Sequence, residues 1–213
     1  MLDAFTLIIE PLSYPFMQRA LAISILIGIV CAIFSCFLIL KGWSLMGDAV
    51  SHAILPGLAI AYVIGLPLSL GAFIAGFFCA ISTGYLKNNS RVKEDAVMGI
   101  VFSGMFAFGL VLLTQIKTDI HLMHILFGNV LGISEKDLIE AGSIAVICSI
   151  IMLVKRRDFM LYCFDPNHAK VIGLPVKFIH YSLLALLALT IVSALKTVGI
   201  ILVIAMLLSL IHI

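Results

Sequence analysis

Long apolar runs separated by short polar stretches dominate this sequence from Met17 to its last residue. Each run is near the length of about 20 residues that a helix needs to cross a bilayer. Because 63% of the residues are hydrophobic and only 11% are charged, a water-exposed surface could not be built around them. The sequence therefore predicts an all-α, polytopic transmembrane helical bundle, with residues 1–213 forming one transmembrane domain.

The composition also excludes other classes of protein. A net charge of only +2 provides no basic surface for nucleic acid. The segment Met1–Phe16 has no Lys or Arg, unlike a secretory signal peptide, so we expect the first span to be retained. The five cysteines form no C-x-x-C pair and are interpreted as small core residues: Cys31, Cys36, Cys79, Cys148 and Cys163.

Polar residues divide the chain into about seven predicted spans. These are Met17–Leu40, Trp43–Ile64, Leu66–Leu86, Ala96–Ile116, Leu138–Val154, Phe178–Leu195 and a last span from Thr197 to the end. The pattern S-x-x-D at Ser134–Asp137 predicts a capping box before the fifth span. The segment His121–Ile133 is too short to cross, and is predicted to be a re-entrant or interfacial half-helix.

The basic residues predict the orientation, since Lys and Arg are retained on the cytoplasmic side. Two loops, 87–95 and 155–177, contain three and five of them respectively. If both loops are cytoplasmic, only one pair of spans lies between them, so His121–Ile133 cannot cross. The amino terminus is then outside and Lys41-Gly42 is inside.

Asp48 and His52 are the only charged or imidazole side chains between Lys41 and Lys87. Four residues apart, they share one face of a helix, and an ionised carboxylate at the bilayer centre costs about 2.5 to 3.5 kcal/mol. Pro56 cannot donate to the carbonyl of His52, which predicts a third, released oxygen ligand. A set of oxygen and nitrogen ligands suits a divalent first-row cation.

Two simpler interpretations remain for this pair. Asp48 follows Gly47 and could be only a helix N-cap, and His52 could be a satisfied interior histidine. As metal ligands, the two side chains are too few for a four- to six-coordinate ion. A second copy of the helix would complete the shell, which favours a dimer around a central path.

The segment 41–57, KGWSLMGDAVSHAILPG, closely resembles the signature of the manganese, zinc and iron permeases of ABC importers. Three further segments resemble blocks of the same family: Lys93–Ile100, Gly128–Leu131 and Phe164–Leu174. The resemblance extends from about residue 10 to residue 207. It implies a permease subunit in a bacterial plasma (inner) membrane, with Asp48 and His52 contacting the ion.

The resemblance also implies the partners and the cargo. A second permease subunit, two cytoplasmic ATPases and an extracytoplasmic metal-binding protein would complete the importer. The transported ion would be manganese or iron, which the form Ser-His-Ala-x-x-Pro-Gly favours over zinc, and no cofactor would be bound permanently.

The loop 155–177 contains Asp165-Pro166, a short helical stretch and a stop at Gly173. A rigid cytoplasmic helix between two spans is what an ATP-driven machine needs to transmit motion, and the resemblance implies the same role. The alternative is a solvated loop anchored by its basic residues. The residues assigned to ATPase coupling are Asp165, Pro166, Ala169, Gly173 and Leu174.

Asp119, His121 and His124 form a weaker candidate for a second metal contact on the outer side. The alternative is that they are interfacial residues of the half-helix, with Asp119 as its cap.

Two missing motifs limit the chemistry of the chain. It contains no G-x-x-x-x-G-K-S/T loop, so any ATP is expected to be hydrolysed by a partner, and no H-E-x-x-H motif of a metalloprotease. The chain is therefore not expected to be an enzyme. The alternative function is an ATP-independent secondary cation transporter or channel, because a broken helix carrying Asp and His would serve it equally well.

The last six residues, Leu208–Ile213, depart from the family. Its members continue for about two more helices, whereas LSLIHI is what a transposon end used in preparing sequencing libraries encodes in one reading frame. We therefore expect that the carboxy-terminal helices are missing, that residues 208–213 are non-native and that His212 has no role.

Overall fold

The computed structural model describes residues 13–43, 45–116, 132 and 134–209. These residues form ten α-helices and no strand, so the predicted all-α fold is confirmed. In chain order the helices are α1 (Pro15–Lys41), α2 (Met46–Ala53), α3 (Leu55–Ile64), α4 (Leu68–Asn89), α5 (Glu94–Gln115), α6 (Glu135–Val154), α7 (Arg156–Phe164), α8 (Pro166–Val171), α9 (Val176–Val198) and α10 (Ile200–Ser209).

Six segments of the described chain are long and apolar enough to cross a membrane. Helices α2 and α3 together form one of them, Met46–Ile64, and α1, α4, α5, α6 and α9 provide the others. The predicted seventh span corresponds to α10, whose ten residues end at Ser209, the last residue that the structure describes. Apart from Gly132, the predicted half-helix His121–Ile133 lies outside the described residues, as do residues 210–213.

Local sequence signals account for several helix ends. Ser134 caps α6: its hydroxyl accepts a hydrogen bond from the backbone N–H of Asp137 at 3.2 Å and donates to the carboxylate at 2.6 Å. The N-cap predicted at Ser134 is therefore present, and its hydroxyl also pairs with the Asp137 side chain of the predicted box. Helix α1 begins with Pro15 and ends at Lys41. The next residue, Gly42, has a φ of 72°, the left-handed conformation that favours glycine.

The helix starts show how the spans alternate. Arg19 in the first turns of α1 forms an ion pair with Glu135 at the start of α6. Ser69 at the start of α4 donates to Glu140 of α6 at 3.3 Å. Three helices therefore begin at one end of the bundle, in agreement with the up-and-down order predicted from the basic loops.

Helices α3 and α4 cross with their backbones almost touching. A Cβ atom added to Gly57 would lie 2.1 Å from the carbonyl oxygen of Gly71, and one added to Gly71 would lie 2.3 Å from that of Gly57. Ala61 and Ala75, one turn further along each helix, complete the contact. This is the small-x-x-x-small arrangement that lets membrane helices approach closely.

The polar segment 155–177 contains more helix than expected. Helix α7 lies where the sequence was interpreted as loop, and it buries Phe159, Tyr162 and Cys163 on one face. The prediction of a loop over Arg156–Phe164 was therefore wrong, because this i, i+3, i+4 pattern is amphipathic. The short helix predicted after Asp165 is present as α8, and Gly173 follows it with φ of 88°.

Candidate metal-ion site

Asp48 and His52 face one another on α2. His52 Nε2 lies 3.3 Å from Asp48 Oδ1, and their side chains are 28% and 31% exposed, respectively. The spacing of four residues therefore brings an imidazole nitrogen and a carboxylate oxygen to one half-buried position. Both side chains are thus partly exposed, so an ion or a neighbouring chain could reach this position.

The pair lies near one end of its span. Asp48 is the third and His52 the seventh of the 19 residues Met46–Ile64, so the pair lies towards Lys41 rather than at the centre considered from the sequence. The N-cap is Leu45, without a side-chain cap bond, so interpreting Asp48 as the N-cap was wrong. In the first turn, the helix dipole stabilises a carboxylate by about 0.3 to 1 kcal/mol.

The helix is interrupted directly after the pair. Helix α2 ends at Ala53 and α3 begins at Leu55, with the backbone N–H of Ile54 donating to the His52 carbonyl. Pro56 contacts α5 closely, since a Cβ atom at Gly109 would lie 2.8 Å from its Cδ.

Two phenylalanines of α5 cover the imidazole. The ring centroid of His52 lies 6.1 Å from that of Phe102 and 5.3 Å from that of Phe106, the latter in an edge-on arrangement. Among the described residues His52 Nδ1 has no hydrogen-bond partner although it is buried. In the sequence, the i, i+4 spacing of Phe102 and Phe106 was the only signal that they share a face.

The geometry suits two ligands of one ion. With about 2.1 Å for metal–nitrogen and metal–oxygen distances, atoms 3.3 Å apart subtend about 104° at a shared ion. This angle lies between the octahedral and the tetrahedral values. No group of three or more His, Cys, Asp or Glu side chains able to hold a metal ion occurs in the described ranges. Within these ranges, one chain therefore brings together two potential ligand atoms at this position, His52 Nε2 and Asp48 Oδ1.

The residues assigned to coupling form one capped helical turn. Asp165 Oδ1 accepts from the backbone N–H groups of Asn167 and His168 at 2.9 and 3.1 Å. Ala169 is completely buried, and its carbonyl accepts from the N–H of Leu174 at 3.1 Å. Helix α8 therefore has a defined beginning and end and packs against α7 and α9.

The weaker candidates Asp119, His121 and His124 lie outside the described residues. Their predicted role as a second metal contact stays a prediction.

Comparison with known proteins identifies relatives over nearly the whole chain. Residues 13–209 match the ABC 3 transport family. The chain is 67% identical over 205 residues to the chelated iron transport system membrane protein YfeD of Yersinia pestis, covering 96% of this chain and 69% of that protein. It is 55% identical over 205 residues to the manganese transport system membrane protein MntB of Synechocystis, covering 95% and 66%.

Solved structures agree with the fold. The structure of PsaBC from Streptococcus pneumoniae in complex with Fab superimposes with a TM-score of 0.83 at 39% identity, covering 98% of this chain and 75% of that one. An inward-facing metal-chelate type ABC transporter, at 16% identity and a TM-score of 0.56, shares the fold alone. From the sequence match and these relatives together, the chain belongs to the ABC 3 transport family.

Proposed function

We propose that this protein is the transmembrane permease subunit of an ATP-binding-cassette importer that moves a divalent transition-metal ion into the cytoplasm. The ion passes Asp48 and His52 at the interface between two permease subunits. The observation that carries the proposal is the pairing of His52 Nε2 with Asp48 Oδ1 at 3.3 Å, on a helix interrupted directly after the pair.

The incomplete shell supports a dimer. One chain offers one oxygen and one nitrogen ligand, whereas a divalent first-row cation takes about four to six. A second permease subunit that presents the same pair across a two-fold axis doubles the number of ligands at the axis. The partial exposure of both side chains leaves room for this arrangement, in a homodimer or a heterodimer.

Manganese or iron is the favoured cargo, with zinc as the alternative. A carboxylate together with an imidazole suits the harder divalent ions better than thiolate ligands would. The name of YfeD specifies chelated iron and that of MntB manganese, and both proteins are more than half identical to this chain. The ion is the transported substrate rather than a resident cofactor.

The other subunits of the importer provide the energy for transport and deliver the metal ion. Two cytoplasmic ATPases hydrolyse ATP and dock on α8, where Asp165 and Gly173 define a rigid helix between two spans. An extracytoplasmic metal-binding protein delivers the ion at the opposite face. This arrangement places loops 87–95 and 155–177 in the cytoplasm of a bacterial cell and the spans in its plasma membrane.

The test is metal uptake at limiting manganese or iron by cells that express the complete importer and lack other uptake systems. Asp48→Asn retains size and removes charge, so we expect unchanged membrane abundance with uptake reduced by at least about tenfold. His52→Ala should behave likewise. The matched control is Asp137→Asn, which neutralises an aspartate at the corresponding third position of α6.

Near-normal uptake by Asp48→Asn would contradict the metal-contact role. An inactivated ATPase separates the two function classes: cation flux that survives it would identify a secondary transporter or channel.

A further inference from the structure

A cavity of about 430 Å³ opens among the helix ends on the side opposite the Arg19–Glu135 ion pair. Its walls come from the ends of α1 and α4, from α7, and from the starts of α8 and α9. This is the end of the bundle assigned to the cytoplasmic side. The cavity is separate from the Asp48–His52 pair, neither of which lines it.

Three lysines from three different helices line this cavity. Lys41 ends α1, Lys87 lies near the end of α4 and Lys177 lies in the first turn of α9. None of the lining residues in the described part of the chain is acidic. A concave site with an excess of like charge attracts an anion, because the site focuses the positive field of its walls.

Neutral hydrogen-bonding groups complete the cavity wall. The Tyr162 hydroxyl lies 2.7 Å from His180 Nδ1, and burial raises the pKa of Tyr162, so the hydroxyl keeps its proton and can donate to that nitrogen. When Tyr162 donates, a neutral His180 carries its own proton on Nε2. A Cβ atom at Gly84 would lie 3.2 Å from Nε2, so the glycine keeps this side open.

Aromatic rings surround the charged groups. The Lys41 ammonium lies 4.2 Å from the ring centroid of Tyr162, and the buried Trp43 ring contacts His180 with centroids 5.4 Å apart. Tyr85 and Tyr181 stand at the cavity wall with exposed rings. Tyrosine and tryptophan concentrate at the level of lipid headgroups, which places the cavity at the membrane surface.

We propose that this cavity binds a phosphate group, supplied by an anionic phospholipid of the adjoining leaflet. Basic pockets between transmembrane helices on the cytoplasmic side bind phospholipid headgroups, and lysine binds phosphate as a point charge. The volume lies within the range of about 300 to 1,000 Å³ typical of small-molecule sites. Free inorganic phosphate has the same chemistry and is the other source.

The experiment measures ligand binding to the full chain purified in a neutral detergent. Thermal unfolding and native mass spectrometry follow the addition of phosphatidylglycerol, phosphatidylcholine or inorganic phosphate. The variants are Lys87→Gln and Lys177→Gln, singly and together, and the matched control is the exposed Lys155→Gln outside the cavity. Lys177 is exposed, so its variant is expected to fold.

We expect phosphatidylglycerol to bind the unaltered protein more tightly than phosphatidylcholine. Each cavity lysine removed should weaken binding about fivefold, and both together about 25-fold, with no effect of Lys155→Gln. A response to inorganic phosphate as large as that to phosphatidylglycerol would identify free phosphate as the source. Phosphatidylglycerol binding that is insensitive to the replacement of both lysines would overturn the proposal. The proposal would also be overturned if an added ATPase subunit, and not the phospholipid, covered the cavity lysines.

Discussion

The crossing of α3 and α4 provides a sharp test of the packing. In Gly57→Ala the new methyl group would lie 2.1 Å from the Gly71 carbonyl oxygen and 2.5 Å from Ala75 Cβ. Real Cβ atoms stay at least 3.0 Å from other heavy atoms, so the helices must separate locally by about 0.9 Å. A backbone oxygen cannot move aside by a change of rotamer.

The expected cost follows from comparison with a glycine that has open space around it. Gly28 on α1 has no atom within 4 Å of an added Cβ, so Gly28→Ala should gain the helix preference of alanine, about 0.5 to 1 kcal/mol. Gly57→Ala gains the same preference but overpacks the crossing. The preference cancels between the two variants. Gly57→Ala should therefore have a free energy of unfolding about 1 to 3 kcal/mol below that of Gly28→Ala, and nearer the larger value because a backbone atom must move.

The measurement is the folded fraction of each purified variant in detergent, followed by size-exclusion chromatography after heating. Gly71→Ala should reproduce the loss, since its Cβ atom would lie 2.3 Å from the Gly57 carbonyl oxygen. Equal stability of Gly57→Ala and Gly28→Ala would refute the close approach of the two helices.

Cysteines introduced at Leu68 and Asn167 into a cysteine-free background test the orientation. An impermeant thiol reagent should label Leu68→Cys in intact cells and leave Asn167→Cys unlabelled, and the reverse result would invert the topology. Coupling through α8 is tested by Gly173→Pro, because proline fixes φ near about −65° whereas Gly173 has φ of 88°. We expect metal uptake to be lost with normal insertion into the membrane, and undiminished uptake would show that this helix does not transmit the ATPase motion.

Much of the fold could be predicted from signals that each lie within one short stretch of the sequence. The apolar runs, the capping box at Ser134 and the Asp165-Pro166 start of α8 each depend on neighbouring residues, so they can be interpreted without a structure. The same holds for Asp48 and His52, whose spacing of four residues brings them together on any regular helix.

Contacts between distant segments could not be predicted in this way. Nothing local to Phe106 indicates that it covers His52, and nothing local to Tyr162 indicates that it meets His180 eighteen residues later. Helix α7 is different, because its amphipathic pattern was present in the sequence but was outweighed by the charges around it. The position of Asp48 in the first turn of α2 was also not predictable, since the break before Met46 sets where the helix begins.

The glycine crossing also bears on how the chain enters the membrane during synthesis. Met46–Ile64 is the least apolar of the six spans by mean hydropathy, and it contains the aspartate and histidine of the proposed pathway. The translocon releases segments laterally into the bilayer according to their apolarity, so this span would insert poorly on its own. Gly57 and Gly71 give it a close partner as soon as α4 emerges, so we expect the two spans to leave the translocon together as a helical hairpin.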